Sequence, residues 1–397
     1  MKITAVEVFD LDVEGTAIPW HPVVVRIHTD EGISGVGEAG LAYGSGHSGA
    51  AGMLVNLAEE FLLGKDPTET ESIWNTLQTH TFWGYSPGPV IYGAISAIDI
   101  ALWDIKGKAL GLPVYKLLGG PCRERIRTYA SQVQFGWSPD KEVWLHRPED
   151  YARVTRIMVD EGFTCVKVNP LRFGPNGEFL PQIGGKLPAS TVSAMADRVR
   201  AVREEGGPDL DILIEFNSRC ATEAAVQLGQ RLEEFDIMYL EEPVHFMDMS
   251  LMRDMKARVN IPLAGGERLY TRWQFLPYLQ ERIISLAQPD IGLAGGFTEV
   301  KKICDLAHIF DVQTQMHVCG GPVGVAASLH MAAAVVNYTL HEHHVRLRHP
   351  GTRAIVKEDY QPHNGCFELP EGPGLGIELN DEVVNRSPRK CVKLNNA

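Results

Sequence analysis

The sequence predicts an α/β chain in which an α+β capping domain precedes a closed (β/α) barrel. Three observations carry this reading. The chain opens with period-2 apolar alternation and then three helical patterns. From Arg125 onward, eight short apolar or β-branched runs alternate with amphipathic helical patterns, the rhythm of a parallel sheet with helical crossovers. The length, 397 residues, exceeds one ordinary core but suits a barrel with a smaller companion.

The elements follow in order. Lys2–Leu11 and Val23–His28 alternate as strands, Asp30-Glu31-Gly32 is a turn, and Ile33–Glu38 resumes, giving an antiparallel meander. Helical patterns follow near Ala50–Leu63, Thr68–Gln78 and Val90–Leu110, and Gly111-Leu112-Pro113 stops the last. Residues 1–118 form the capping domain. The barrel, residues 119–348, has its strands at Ile126–Ser131, Thr164–Asn169, Ile212–Asn217, Ile237–Glu241, Pro262–Gly266, Ile284–Gln288, Val312–Met316 and Val335–Leu340. Val192–Glu205, Ala221–Phe235 and Glu299–Phe310 are crossover helices; Gln134–Arg147 reads as loop and leaves the first helix undefined. The tail, residues 349–397, is turn-rich around Gly372-Pro373-Gly374-Leu375-Gly376 and is expected to fold back on the capping domain.

Bulk properties exclude several functions. Net charge is −13, the wrong sign for a nucleic-acid or anionic-membrane partner. The hydrophobic fraction of 44% and charged fraction of 22% are those of a globular enzyme. The seven cysteines are odd in number and never spaced CxxC, which argues against a disulfide framework or zinc knuckle and fits a reducing cytoplasm. No run resembles a signal peptide or a membrane span.

The polar residues at strand ends carry the chemistry. Lys167 and Asn169 end the second strand, Glu215 and Asn217 the third, Glu241 and Glu242 the fourth. Glu267 ends the fifth, Asp290 the sixth, His317 the seventh, and Glu342 follows the eighth. In a barrel these ends share one face, where active sites lie. An acid after a single strand is often only a helix N-cap, but seven consecutive strands repeat the pattern. Glu215, Glu241 and Glu267 are spaced 26 residues apart, one βα unit each time. Three converging carboxylates repel unless a hard dication or salt bridges neutralise them, and Mg²⁺ takes such oxygen ligands. Asp290 beside His317 would fix the imidazole tautomer and raise its basicity. Glu342 is a candidate partner for the substrate carboxylate, and Lys167 a source of positive charge.

These motifs resemble the enolase superfamily, in its mandelate racemase-like group, along the whole chain. The resemblance rests on Ala97-Ile98-Asp99-Ile100-Ala101-Leu102-Trp103-Asp104, Gly111-Leu112-Pro113, Leu117-Leu118-Gly119-Gly120, Lys167-Val168-Asn169, Glu241-Glu242-Pro243, Gly266-Glu267-Arg268, Gln288-Pro289-Asp290 and the Gly372–Glu378 tail. It implies the modified TIM barrel of that superfamily. It also implies a base that removes the proton α to a carboxylate, and Mg²⁺ stabilising the enediolate, an arrangement for which this superfamily is a standard illustration. Within the group, Gly266–Trp273 is similar to galactonate dehydratases, while Ile214–Arg219 and Glu241–His245 are similar to gluconate dehydratases. The implied reaction on a sugar acid expels the 3-hydroxyl as water and gives a 2-keto-3-deoxy acid. The implied assembly is a homo-oligomer, a dimer or an octamer.

One departure stands out. Those dehydratases carry a histidine two positions after the third-strand ligand, where this chain has Asn217, and Asn169 replaces the second lysine of the racemase-type KxK. His317 then either serves both proton transfers in a syn elimination or shares them with a loop residue such as His21, Tyr43 or Tyr85. Trp20, His21 and Tyr85, with Asn169, Asn217 and Arg268, are candidate substrate contacts; Leu171–Pro188 has the length and composition of a lid. Alternative functions are an epimerase, cycloisomerase or lactonising enzyme using the same enediolate, and a non-catalytic sugar-acid binder.

Overall fold

The structure, a computed structural model, describes residues 1–16, 19–140, 143–180 and 182–394. Parts of the Thr16–His21, Gln134–Arg147 and Leu171–Pro188 loops and the end of the tail lie outside the described residues.

Strands β1 (Ile3–Asp10), β2 (Val23–Thr29) and β3 (Ser34–Ala39) form an antiparallel meander. The helix Pro89–Leu110 lies directly on it. A Cβ at Gly35 or Gly37 would collide with the backbone of Ala101 or Ala97, so the two glycines allow that approach. Gly111 ends the helix in the left-handed conformation at φ 66°.

The barrel strands are β4 (Arg125–Ser131), β5 (Cys165–Val168), β6 (Asp211–Glu215), β7 (Tyr239–Glu241), β8 (Leu263–Gly265), β9 (Leu286–Ala287), β10 (Gln313–Thr314) and β11 (His341–His344). Each pairs in parallel with its predecessor from β4 to β10, and β11 pairs in parallel with β4. A bridge between Thr314 and Tyr338 spans the last gap. The eighth strand corrects the expectation: it is His341–His344, not Val335–Leu340. The helix Pro322–Ala334 ends immediately before that run, with Val335 as its C-cap, and the run is the connection to the strand, touching the sheet through the Tyr338 bridge. The strand itself reads His-Glu-His-His, and burial holds the His341, His343 and His344 imidazoles neutral by lowering their pKa. The undefined first crossover helix is Pro148–Asp160. It starts with Pro at N1 and acids in its first turn, and buries Tyr151, Val154, Thr155 and Met158 on one face.

Buried carboxylates stitch the two units together. Asp104 accepts the Val36 and Leu375 N–H groups at 2.9 and 2.8 Å and pairs with Lys108 at 3.0 Å, fixing β3 and the tail to one helix. Asp99 accepts from the Thr298 N–H and hydroxyl at 3.0 and 2.5 Å. The tail adds β12 (Cys366–Glu368) antiparallel to β4 and β13 (Arg389–Lys393) antiparallel to β1. No helix among the described residues is long and apolar enough to cross a membrane.

Candidate active site

A cavity of about 590 Å³ opens at the C-terminal ends of the barrel strands. Its inner wall carries Lys167, Glu215, Glu267, His317 and Glu342. Glu215 and Glu241 are in register on adjacent strands, and Glu267 follows β8. One carboxylate oxygen from each of the three lies within 4.8 Å of the others.

The charges of this cluster are unequal. Burial and the neighbouring Glu241 push the Glu215 carboxyl well above the usual carboxylate range. Burial also raises Glu267, against the pull of His317. Burial opposes ionisation of Glu241 too, but Lys167 at 3.0 Å and the Gln288 amide at 2.7 Å hold its pKa below the ordinary value. Glu215 Oε2 is buried without a hydrogen-bond donor. Three oxygen donors, two of them resisting ionisation and one bearing an unmet lone pair, suit a hard divalent cation.

Lys167 sits behind this cluster, fully buried, 3.0 Å from Glu241, 3.1 Å from Glu342 and 3.5 Å from Glu215. Burial works against its charge, but Glu241 and Glu342 outweigh it and raise its pKa well above the ordinary value. The surrounding carboxylates thus favour Lys167 as a cation. Glu342 accepts from Ser131 Oγ at 2.6 Å and Val318 N–H at 2.9 Å, and faces Lys167 with both oxygens engaged.

His317 presents its Nδ1 to Asp290 at 2.7 Å, and its Nε2 lies 3.3 Å from Glu267. The other Asp290 oxygen accepts the Gly292 N–H at 2.7 Å. Behind them, Glu38 of β3 accepts the Gly321 and Gly324 N–H groups at the start of the helix Pro322–Ala334. Burial pushes its carboxyl up to about 7. The capping domain thus reaches directly under the His317 loop.

Asn217 (φ 51°) and Ser218 (φ 56°) turn the chain in the left-handed region just after β6, and Asn tolerates that conformation better than most residues. The Asn217 N–H donates to Glu215, and its side-chain oxygen accepts from Asn169 Nδ2 at 2.8 Å. Asn169 in turn accepts the Leu171 N–H at 3.1 Å. Arg268 lines the cavity and pairs with Glu242 and Glu267.

Four candidate substrate contacts lie off the cavity wall: Asn169, bonded to the lining residue Asn217, and Trp20, His21 and Tyr85. Trp20 is fully buried, stacked on His344 at 5.7 Å and under the Arg346 guanidinium at 5.0 Å, one layer behind those lining residues. His21 pairs with Asp12 at 3.4 Å and stacks on His47 at 4.1 Å. Tyr85 is 69% exposed; from its loop it is Pro87, Gly88 and Pro89 that reach the cavity. Tyr43 does line it and accepts a hydrogen bond from Arg172 at 3.2 Å.

Sequence reasoning passed over several residues. Gln288, two positions before Asp290, orients Glu241. Arg172 and Arg219, each four residues past a strand end, reach the cavity. Arg198, 1% exposed, donates to the carbonyls of His146, Pro170, Phe173 and Gly174, pinning the loop after β5. A cation on the buried face of a crossover helix was the available signal.

Comparison with known proteins places the chain in a family. Residues 150–383 match the enolase C-terminal domain-like family, and residues 15–119 match the mandelate racemase / muconate lactonizing enzyme N-terminal domain. A D-galactonate dehydratase of Verminephrobacter eiseniae (strain EF01-2) is 33% identical over 98% of this chain and 95% of its own. Another, from Ralstonia nicotianae (strain ATCC BAA-1114 / GMI1000), is 31% identical over 98% and 95%. Among solved structures, a member of the enolase superfamily from Salmonella Typhimurium superposes with a TM-score of 0.94 at 45% identity, covering 99% of this chain and 100% of that one. The mandelate racemase/muconate lactonizing enzyme from Jannaschia sp. CCS1 gives 0.87 at 29% identity, covering 100% and 99%. With both family domains matched in order, and relatives above 30% identity aligned almost end to end, the chain belongs to the mandelate racemase/muconate lactonizing enzyme family of the enolase superfamily.

Proposed function

We propose that the chain is a Mg²⁺-dependent sugar-acid dehydratase that uses His317 as its one proton-transfer group. The observation that carries this reading is the His317–Asp290 pair set on the same rim as the glutamate triad. Glu215, Glu241 and Glu267 would hold the cation, which when bound supplies a Lewis acid for the negative charge that develops on the substrate carboxylate.

Asp290 fixes one proton of His317 on Nδ1, and Nε2, which faces Glu267 at 3.3 Å, would be the proton acceptor once Glu267 turns to the cation. Nε2 removes the C2 proton of the sugar acid. Lys167, 3.1 Å from Glu342, would offset the negative charge built up in the pocket. His317 then returns its proton to the departing 3-hydroxyl, which leaves as water. The enol tautomerises to a 2-keto-3-deoxy acid. Asn217 orients through hydrogen bonds and has no proton to exchange near neutral pH. A syn elimination by a single base follows from that composition, and it weighs against racemisation with a base on each face.

Full-length D-galactonate dehydratase relatives support dehydration over the isomerase alternatives. The test is a screen of hexonates, pentonates and aldarates with Mg²⁺ and a 2-keto acid readout. A 2-keto-3-deoxy product is expected; C2 exchange with solvent and no loss of water would favour the isomerase reading.

A further inference from the structure

Two arginines on the cavity wall have no counter-ion among the described residues. Arg172 is 8% exposed, its Nε is buried without a hydrogen-bond acceptor, and its one side-chain hydrogen bond is to the Tyr43 hydroxyl. Among the described residues, the Arg219 side chain donates to the Leu180 carbonyl alone, at 3.3 Å. Both guanidiniums rest on the Phe179 ring, at 4.8 and 5.5 Å from its centroid. Among the described residues, no carboxylate lies within ion-pair distance of either. The third cavity arginine from these loops, Arg268, differs: Glu242 and Glu267 neutralise it.

Holding two guanidiniums together in a half-enclosed cavity without an anion is costly. Burial and the adjacent Arg172 both disfavour the charge on Arg219. Such pairs are stable once an anion enters, because a guanidinium fork matches a carboxylate or phosphate with two parallel hydrogen bonds. The reacting carboxylate is already provided for by the triad cation. The loop is also built to keep Arg172 in place. Leu180 N–H returns to the Arg172 carbonyl at 3.2 Å, Phe173 bridges Phe179, and Arg198 pins the carbonyls of Phe173 and Gly174.

We propose that Arg172 and Arg219, with Tyr43, form a subsite for a second anionic group, so that the preferred substrate is a dianionic sugar acid, an aldarate or a phosphorylated aldonate, and not a simple aldonate. This rests on the sugar-acid dehydratase reading. Arg172 and Arg219 are then specificity-determining contacts, separate from the proton-transfer residues.

The experiment compares galactarate, glucarate, 6-phosphogluconate, galactonate and gluconate on the Mg²⁺-loaded full chain. Initial rates of 2-keto acid formation are measured for wild type, Arg172→Met, Arg219→Met and Arg172→Lys. In parallel, calorimetry measures binding of the same acids to the Mg²⁺-loaded His317→Asn variant. A dianionic acid is expected to be preferred at least about tenfold over the matching hexonate. Each Met variant should lose about 30-fold or more in kcat/KM on the dianion, the scale of removing one partner of a buried charge pair. The hexonates should change about threefold or less, and Arg172→Lys should restore part of the preference. The aldarate and phosphate arms identify which second anion is taken. Equal losses on every acid would overturn the proposal, because the arginines would then serve the reacting carboxylate. So would a preference for hexonates that survives both substitutions. If no acid yields a 2-keto product, the dehydratase reading fails, while the calorimetry still reads whether a dianion is preferred. Melting curves of each variant exclude loss of fold, and Arg219→Met tests the subsite independently of the Arg172 loop.

Discussion

Asp290→Asn is the perturbation whose outcome the geometry constrains most tightly. In the native site one Asp290 oxygen accepts the Gly292 N–H and the other faces His317 Nδ1, both at 2.7 Å. An asparagine has one oxygen and one NH₂. With its oxygen toward Gly292, its NH₂ points at Nδ1, which must then accept. The imidazole proton moves to Nε2, and the ring presents a donor where the reaction needs a base. The flipped amide restores the tautomer but sets NH₂ against the Gly292 N–H, leaving a buried donor unmet at about 1–3 kcal/mol. That alone lowers the productive population by about 5- to 150-fold. Loss of the carboxylate that stabilises the imidazolium adds to it, so the total falls within the range of about 10²–10⁴ attributed to a positioned general base. The assay follows C2 proton loss and 2-keto acid formation by proton NMR in D₂O at saturating Mg²⁺, with calorimetry confirming that the cation binds. An Asn variant within about threefold of wild type, with metal bound, would refute the role given to the pair.

Other expectations follow from the same geometry. Mg²⁺ at about 100 times its dissociation constant should stabilise the fold by about 2.7 kcal/mol, raising Tm by about 3 °C for a chain of this length. Glu241→Gln should abolish that rise, and a rise unchanged in the variant would count against the ligand set. Arg198→Met removes hydrogen bonds to four loop carbonyls, each worth about 1.5–3 kcal/mol when made by a charged donor. Limited proteolysis should then cut the chain between Leu171 and Pro188 much faster, and an unchanged rate would show the loop is held otherwise. His343 is buried among Trp137, Phe163 and Phe367, and burial, helped by Arg348, depresses its pKa well below the ordinary value. The unfolded chain therefore binds a proton below about pH 6.5 that the native chain does not, so stability falls with pH by about 1.4 kcal/mol per unit from this residue. His343→Phe should lose about 2 kcal/mol less than wild type between pH 7.5 and 5.0 in urea titrations; parallel profiles would contradict that.

Much of the fold was legible because the barrel repeats its signal. Seven of the eight strands are short apolar runs, and the crossovers Val192–Glu205, Ala221–Phe235 and Glu299–Phe310 carry a helical period. The eighth strand escaped because its side chains are histidines and a glutamate, polar by composition yet buried. The helix Pro148–Asp160 escaped because the irregular segment before it hides its start, although Pro148 and the acids after it mark an N-terminus. At the site, strand-end positions carried the information: Glu215, Glu241, Glu267, Asp290 and His317 share a rim because parallel strands end together. Loop residues carry no such rule. Of the loop candidates His21, Tyr43 and Tyr85, Tyr43 reaches the cavity, while from the loop of Tyr85 it is Pro87–Pro89 that do. Arg172 and Arg219 depend on how the loops after β5 and β6 fold, which pairwise spacing does not encode.

The central claim, one histidine removing the C2 proton and expelling the 3-hydroxyl, is tested most directly in D₂O. The Mg²⁺-loaded chain is incubated with its best sugar acid from the screen and the product is examined by NMR. The expected product is a 2-keto-3-deoxy acid carrying one solvent deuterium at C3, formed by wild type and lost in His317→Asn. Deuterium at C2 of an otherwise intact sugar acid, or an undiminished yield from His317→Asn, would contradict it.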